Sequence, residues 1–154
     1  MKKMLPVTLV LVALLAAPPA GWAGPPTAGK TVLITPFRFY AAQDVAFLNH
    51  GILEMLTTRL LRAGTIRVRQ WGKSPFDQAE AVELAGKQDA DYILIGGITI
   101  FDNRVSTDAR LIQTEGGRAV LLFSRFGRRP GDVLEHMDAL AGEIAGVFEA
   151  GAAQ

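Results

Sequence analysis

Residues 91–101 read DYILIGGITIF, and the reading of this stretch decides the fold. β-Branched and aromatic side chains dominate it, as a strand on a pleated, half-buried surface requires. Asp102 and Asn103 follow as a two-residue turn, and Arg104 to Thr114 (RVSTDARLIQT) returns with alternating polarity. A turn this short joins antiparallel neighbours, so the two runs form a hairpin. Centring it on Asp102 and Asn103 sets Leu94, Gly96, Ile98 and Ile100 beside Leu111, Ala109, Thr107 and Val105, an apolar core face. The opposite face carries Ile93, Ile95, Gly97 and Thr99 beside Ile112, Arg110, Asp108 and Ser106. That face is apolar at one end and polar at the other.

Downstream, a second turn at Glu115 to Arg118 leads into another strand over 119–127. Centred on that turn, the pairing puts Val120, Leu122, Ser124 and Phe126 on the core face and Leu121, Phe123 and Arg125 on the other. Arg125 then stands directly opposite Asp108. Asp132 and Glu135 resemble a capping pair for a closing helix, whose Val133, Met137, Leu140, Ala141, Ile144, Val147 and Phe148 share one stripe.

Upstream, Thr31 to Thr35 is a short apolar strand stopped by Pro36. Val45, Leu48, Ile52, Leu56 and Leu60 recur at helical spacing from about Asp44 to Arg62, with Gly64 placed to end that helix. Ile66 to Gln70 is a brief strand. Ser74 as cap, Pro75 at the first helical position and Asp77 announce a helix running to about Lys87. The element order is therefore βαβαβββα, an α/β fold with a single mixed five-stranded sheet. Its first three strands are parallel and its last three antiparallel, with helices packed on the sheet.

The amino-terminal letters MKKMLPVTLVLVALLAAPPAGWA have the three-part plan of a secretory signal peptide: two lysines, an apolar run, then small residues before a cut. The run is too short to span a membrane as a helix of about 20 residues. Cleavage is expected after Ala23. The organisation expected is a signal peptide over 1–23, a flexible mature amino terminus over 24–29, the α/β domain over 30–149 and a disordered tail over 150–154. The expected destination is periplasmic or outer-membrane associated, with no membrane-spanning segment once the leader is removed. Cysteine is absent, which predicts neither a disulfide nor a lipidated Cys.

GPPTAGKT, residues 24–31, satisfies the spelling of a phosphate-binding P-loop. Its context does not. Pro25 and Pro26 lack the N–H groups that would cradle phosphate, and TVLITPF follows as a strand where a helix is needed. Gly24 to Thr31 is accordingly read as a false P-loop, with no nucleotide site. Two of the 16 Lys and Arg residues, Lys2 and Lys3, belong to the leader, so the remainder is near neutral against 15 Asp and Glu. Nothing in that balance predicts nucleic-acid binding.

Catalytic inventory is thin. His50 and Glu54 lie one turn apart on a predicted helix, but two ligands do not make a zinc site. Glu135, His136 and Asp138 sit near a helix start and read as capping and solvation. No serine or threonine occupies a G-x-S-x-G elbow. The expectation is a protein without enzymatic activity, cofactor or metal. Adjacent glycines inside a strand, Gly96 and Gly97, mark close approach by backbone or ligand. Gly97 shares its face with Asp108, Arg110 and Arg125, and these four residues are the candidate binding patch.

The helix HGILEMLTTRLLRAG and the stretch ELAGKQDADYILIGGITIFDNRVSTDARLIQTEGG, in the order βαβαβββα, resemble the amino-terminal domain of the translocation protein TolB. They are similar also to related envelope domains, the flagellar outer-membrane protein FlgO and the curli secretion lipoprotein CsgG. The likeness covers most of residues 30 to 149, with A-D-Y-I-L-I-G-G its most telling part. TolB continues into a β-propeller, whose repeats are not found here, and CsgG needs a lipidated Cys and membrane-spanning strands. The resemblance implies an envelope-associated α/β domain that acts by binding envelope proteins or itself. A ring-forming component of a secretion or flagellar apparatus, and a periplasmic small-molecule sensor, are the alternatives.

Overall fold

The computed structural model describes residues 29–152 apart from 43 and 46. The expected signal peptide, its cleavage point and the first letters of the false P-loop lie outside the described residues.

The elements are β1 (Lys30–Ile34), β2 (Arg38–Tyr40), α1 (Leu48–Arg62), β3 (Ile66–Gln70), α2 (Gln78–Lys87), β4 (Tyr92–Phe101), β5 (Arg104–Gln113), β6 (Ala119–Gly127) and α3 (Val133–Ala152). They build one mixed six-stranded sheet in the order β3-β1-β4-β5-β6, with β2 pairing β4. β1 runs parallel to β3 and β4, and β4, β5 and β6 are antiparallel. The one strand beyond the expected five is β2. The chain breaks at Pro36, crosses, and pairs Arg38, Phe39 and Tyr40 with Gly97, Ile98 and Thr99 of β4. Three residues after a proline carry too little pattern to announce a strand.

The first hairpin has the expected register, from Phe101↔Arg104 to Tyr92↔Gln113. The second is a correction. Gly116 and Gly117 take φ of 78° and 64° and close the turn early, so that the Gln113 N–H reaches the Arg118 carbonyl at 2.9 Å. A bulge then inserts Val120 between the Ile112↔Ala119 and Leu111↔Leu121 pairs. From there β6 is one residue out of the expected register, and a one-residue slip exchanges its faces. Phe123 points into the core, while Leu122, Ser124 and Phe126 point away from it.

α1 and α3 cover one sheet face. Ile52, Leu56 and Leu60 of α1 and Met137, Leu140, Ile144 and Phe148 of α3 close over Val32, Ile34, Leu94, Ile98 and Leu111. Thr107 and His136 are buried within this layer, the imidazole Nδ1 lying 3.0 Å from the Thr107 hydroxyl. His136 is thus a core residue and not the solvated capping residue expected, because α3 starts at Val133 and its first turn already faces the sheet. Asp132 serves the preceding loop instead, accepting the N–H groups of Arg128 and Arg129.

Two further boundaries differ from the sequence reading. Asp77, not Ser74, caps α2, accepting the Glu80 N–H at 2.9 Å while the Glu80 carboxylate takes the Phe76 N–H. α3 continues through Ala152, across part of the expected tail, since Ala150 and Ala152 favour the helix and no proline stops it. Among the described residues no helix is long and apolar enough to cross a membrane.

Candidate functional site

The other sheet face is only half covered. Ala81 and Ala85 of α2 pack on Leu33, Ile93 and Ile112, the apolar end of the face. Beyond the amino-terminal end of α2 the strands run on uncovered, and a cleft of about 660 Å³ lies there between β2, the loop into α2, and β4 to β6.

Its floor is glycine. Gly97 is flanked by the Tyr40 ring, whose Cε2 would lie 3.4 Å from an added Cβ. Gly96, one residue earlier, serves the opposite face, where the Phe37 ring fills the space of a side chain. The rim on the α2 side is pinned by Arg38. Its guanidinium donates to the carbonyls of Pro75 and Phe76, the latter at 2.6 Å, and sits 5.9 Å from the Phe76 ring centroid. The Ser74 hydroxyl donates to the Pro36 carbonyl and ties the same loop to the end of β1. Phe76 itself remains 82% exposed.

Across the cleft stand the polar residues of β5 and β6. Both Asp108 oxygens are occupied, one by the Ser124 hydroxyl at 2.7 Å and the other by that of Ser106 at 3.0 Å. Arg110 pairs across the strands with Ile95 and Leu122. No hydrogen bond or ion pair to its guanidinium is found among the described residues.

Of the four residues singled out from the sequence, Gly97, Asp108 and Arg110 line one cleft. Arg125 does not. The register slip pairs it with Thr107 and gives Ser124 to Asp108. Arg125 therefore projects from the opposite face, where it meets Glu143 of α3 at 3.1 Å and lies 5.7 Å from the Phe123 ring. The sequence reading missed Tyr40, Arg38, Phe76 and Leu122. Only the Asp77–Glu80 capping pattern, which would have released Phe76 from the helix, could have pointed to one of them.

Chemically the cleft is a binding surface with one uncommitted cation, a carboxylate that already accepts a hydroxyl on each oxygen, and exposed apolar groups. Lys30 and Thr31, the last letters of the P-loop spelling, begin β1. The Lys30 ammonium is 3.7 Å from Asp91, and the Thr31 N–H donates to the same carboxylate at 2.8 Å. His50 and Glu54 are exposed on α1, where Glu54 accepts from the Gln70 amide at 3.0 Å. Among the described residues no group of three or more His, Asp and Glu is placed to hold a metal ion.

No family model matches the chain, and neither does any curated protein. Solved structures do. The PelC dodecamer from Paraburkholderia phytofirmans is 19% identical with a TM-score of 0.54, over 78% of this chain and 87% of that one. Lipoprotein GNA1162 from Neisseria meningitidis is 19% identical with a TM-score of 0.52, over 75% and 96%. TolB from Acinetobacter baumannii is 10% identical with a TM-score of 0.51, over 79% of this chain but 27% of that longer one. At these identities the likeness is one of fold, and it is the TolB-type fold that the sequence resemblance implies.

Proposed function

We propose that this chain is an exported envelope protein that works without catalysis, as a protein-binding or assembly module docking through the open half-face of its sheet. The observation that carries the reading is the cleft. An uncommitted Arg110 stands beside a glycine floor, with Tyr40, Phe76 and Leu122 exposed around it. A partner segment bringing a carboxylate and apolar side chains would satisfy all of these groups at once. The signal-peptide pattern and the fold shared with TolB and with a lipoprotein support the envelope setting.

Crosslinking in the native envelope, followed by mass spectrometry, tests the reading when the parent is compared with Arg110→Glu. Discrete crosslinked proteins lost in the variant are the expected result. An unchanged crosslink pattern, or turnover of a substrate by the purified chain, would overturn it.

A second reading, a ring-forming component of an outer-membrane secretion or flagellar apparatus, is favoured by one observation: a protein of this fold, PelC, is a dodecamer. Light scattering on the purified chain separates the two, since a stable ring far above dimer mass belongs only to the second.

A further inference from the structure

Besides the three-residue β2, the sheet ends in β3 on one side and β6 on the other, and these two edges are built differently. β3 is five residues long and exposes Arg67, Arg69 and Gln70, a short charged edge of the kind that blocks pairing. β6 is nine residues long, AVLLFSRFG, and its one charged side chain, Arg125, is engaged with Glu143. Leu122 and Phe126 of this strand are 72% and 82% exposed.

The backbone of β6 is also free on its outer side. The Gln113 N–H bonds to Arg118, so odd-numbered residues of β5 turn their backbone groups toward β6. Their partners Phe123, Arg125 and Gly127 answer them. The N–H and C=O groups of Leu122, Ser124 and Phe126 must then point outward. No hydrogen bond from a described residue reaches them.

The order Leu122, Ser124, Phe126 is self-complementary. An antiparallel copy with its dyad at Ser124 sets Leu122 against the partner's Phe126 and the reverse, two aliphatic–aromatic cross-strand pairs. On the other face Phe123 meets the partner's Arg125, so along these positions no like charges oppose one another. We infer that β6 pairs with β6 of a second copy of this chain, antiparallel and centred on Ser124, joining two six-stranded sheets into one. The dyad is normal to the sheet, so both clefts open on the same side, and a partner carrying two docking segments gains from their linkage. This inference rests on the reading of the chain as an assembly module.

The chain has no cysteine, so single introduced cysteines report the register. In the full chain, expressed with its leader and purified, Ser124→Cys is expected to form a crosslinked dimer under mild oxidation. Leu122→Cys and Phe126→Cys are each expected to stay uncrosslinked alone and to crosslink when mixed. Phe126→Lys, at a solvent-exposed position, is expected to weaken the dimer by about tenfold or more in sedimentation equilibrium with its circular dichroism unchanged. A monomeric Ser124→Cys, equally efficient crosslinking of Leu122→Cys alone, or an oligomer indifferent to Phe126→Lys would overturn the inference. A monomer that keeps its Arg110-dependent envelope crosslinks refutes the pairing and leaves the proposed function standing. A dimer with no such crosslinks does the reverse.

Discussion

Replacing Gly96 by alanine places a methyl group where the structure has no room for one. The added Cβ would lie 2.8 Å from Phe37 Cδ1, closer still to Cε1, and 2.8 Å from the Asp108 carbonyl oxygen. Carbon atoms prefer about 3.5–4.0 Å, so a displacement on the order of 1 Å is needed. Neither obstacle yields easily. Phe37 is fully buried in the core, and the Asp108 carbonyl belongs to the strand paired with Gly96's neighbour. Overpacking of this kind costs about 1–3 kcal/mol, and alanine's better backbone entropy returns at most about 1 kcal/mol. With contacts this short the cost falls at the upper end of that range, and a net loss of about 2 kcal/mol follows, visible as a lower urea midpoint with an unchanged slope.

Gly97→Ala is the matched control. Its Cβ meets the exposed Tyr40 ring at 3.4 Å and the Arg38 carbonyl oxygen at 3.6 Å, neither closer than ordinary contact requires, so its effect should stay within about 0.5 kcal/mol. Phe37→Leu removes the ring edge, and the double variant with Gly96→Ala should lose less than the two single losses added. The reasoning fails if Gly96→Ala matches the parent, if both glycine variants behave alike, or if the two substitutions simply add.

Thr107→Val leaves the buried His136 Nδ1 without its hydroxyl partner and should cost about 1–3 kcal/mol in the same assay; a neutral result would show that the imidazole is satisfied elsewhere. At Asp132, burial favours the neutral acid, but the N–H groups of Arg128 and Arg129 and the Arg129 charge outweigh it and hold the carboxyl below its ordinary range. Its contribution to stability is then present above the ordinary carboxylate pKa and lost as pH falls through the lowered one. Asp132→Asn should flatten the acid limb of Tm against pH, and parallel limbs for variant and parent would contradict this. Arg110→Ala should leave urea stability within about 0.5 kcal/mol, since the side chain is exposed; a large loss would mean that the guanidinium holds the fold and not a partner. The exported chain should begin at Gly24, and an intact Met1 in mature material, read by mass spectrometry, would remove the export argument.

Where the backbone obeyed a short-range rule, the sequence was enough to read the structure. The Asp102–Asn103 turn allows one register, and from it the core face and the cleft-side positions of Gly97, Asp108 and Arg110 follow directly. The second turn offered no such guarantee. Two adjacent glycines shifted its centre, and the bulge at Val120 moved the pairing again, neither of which has a periodic signature. Arg125 was assigned to the wrong face for that reason alone. β2 was invisible on different grounds. Its three residues pair only because the chain bends at Pro36 and returns beside β4, a tertiary event that propensity cannot register.

The openness of the cleft follows from lengths. Helix α2 has 10 residues and spans about 15 Å. The β4 and β5 strands it lies on have 10 residues each and extend about 33 Å. On the other face α1 and α3, with 15 and 20 residues, reach about 22 and 30 Å and cover it. Extending α2 over the remaining half would seal Arg110 and Asp108 beneath a helix, and burying an unpaired guanidinium is costly. The short helix and the polar half-face are thus consistent with each other. Leu122, Tyr40 and Phe76 are at odds with both, since water alone gives no reason for three large apolar groups to gather around one cation. A surface that would be costly to bury under its own helix and yet presents apolar side chains is suited to a cover that brings its own carboxylate.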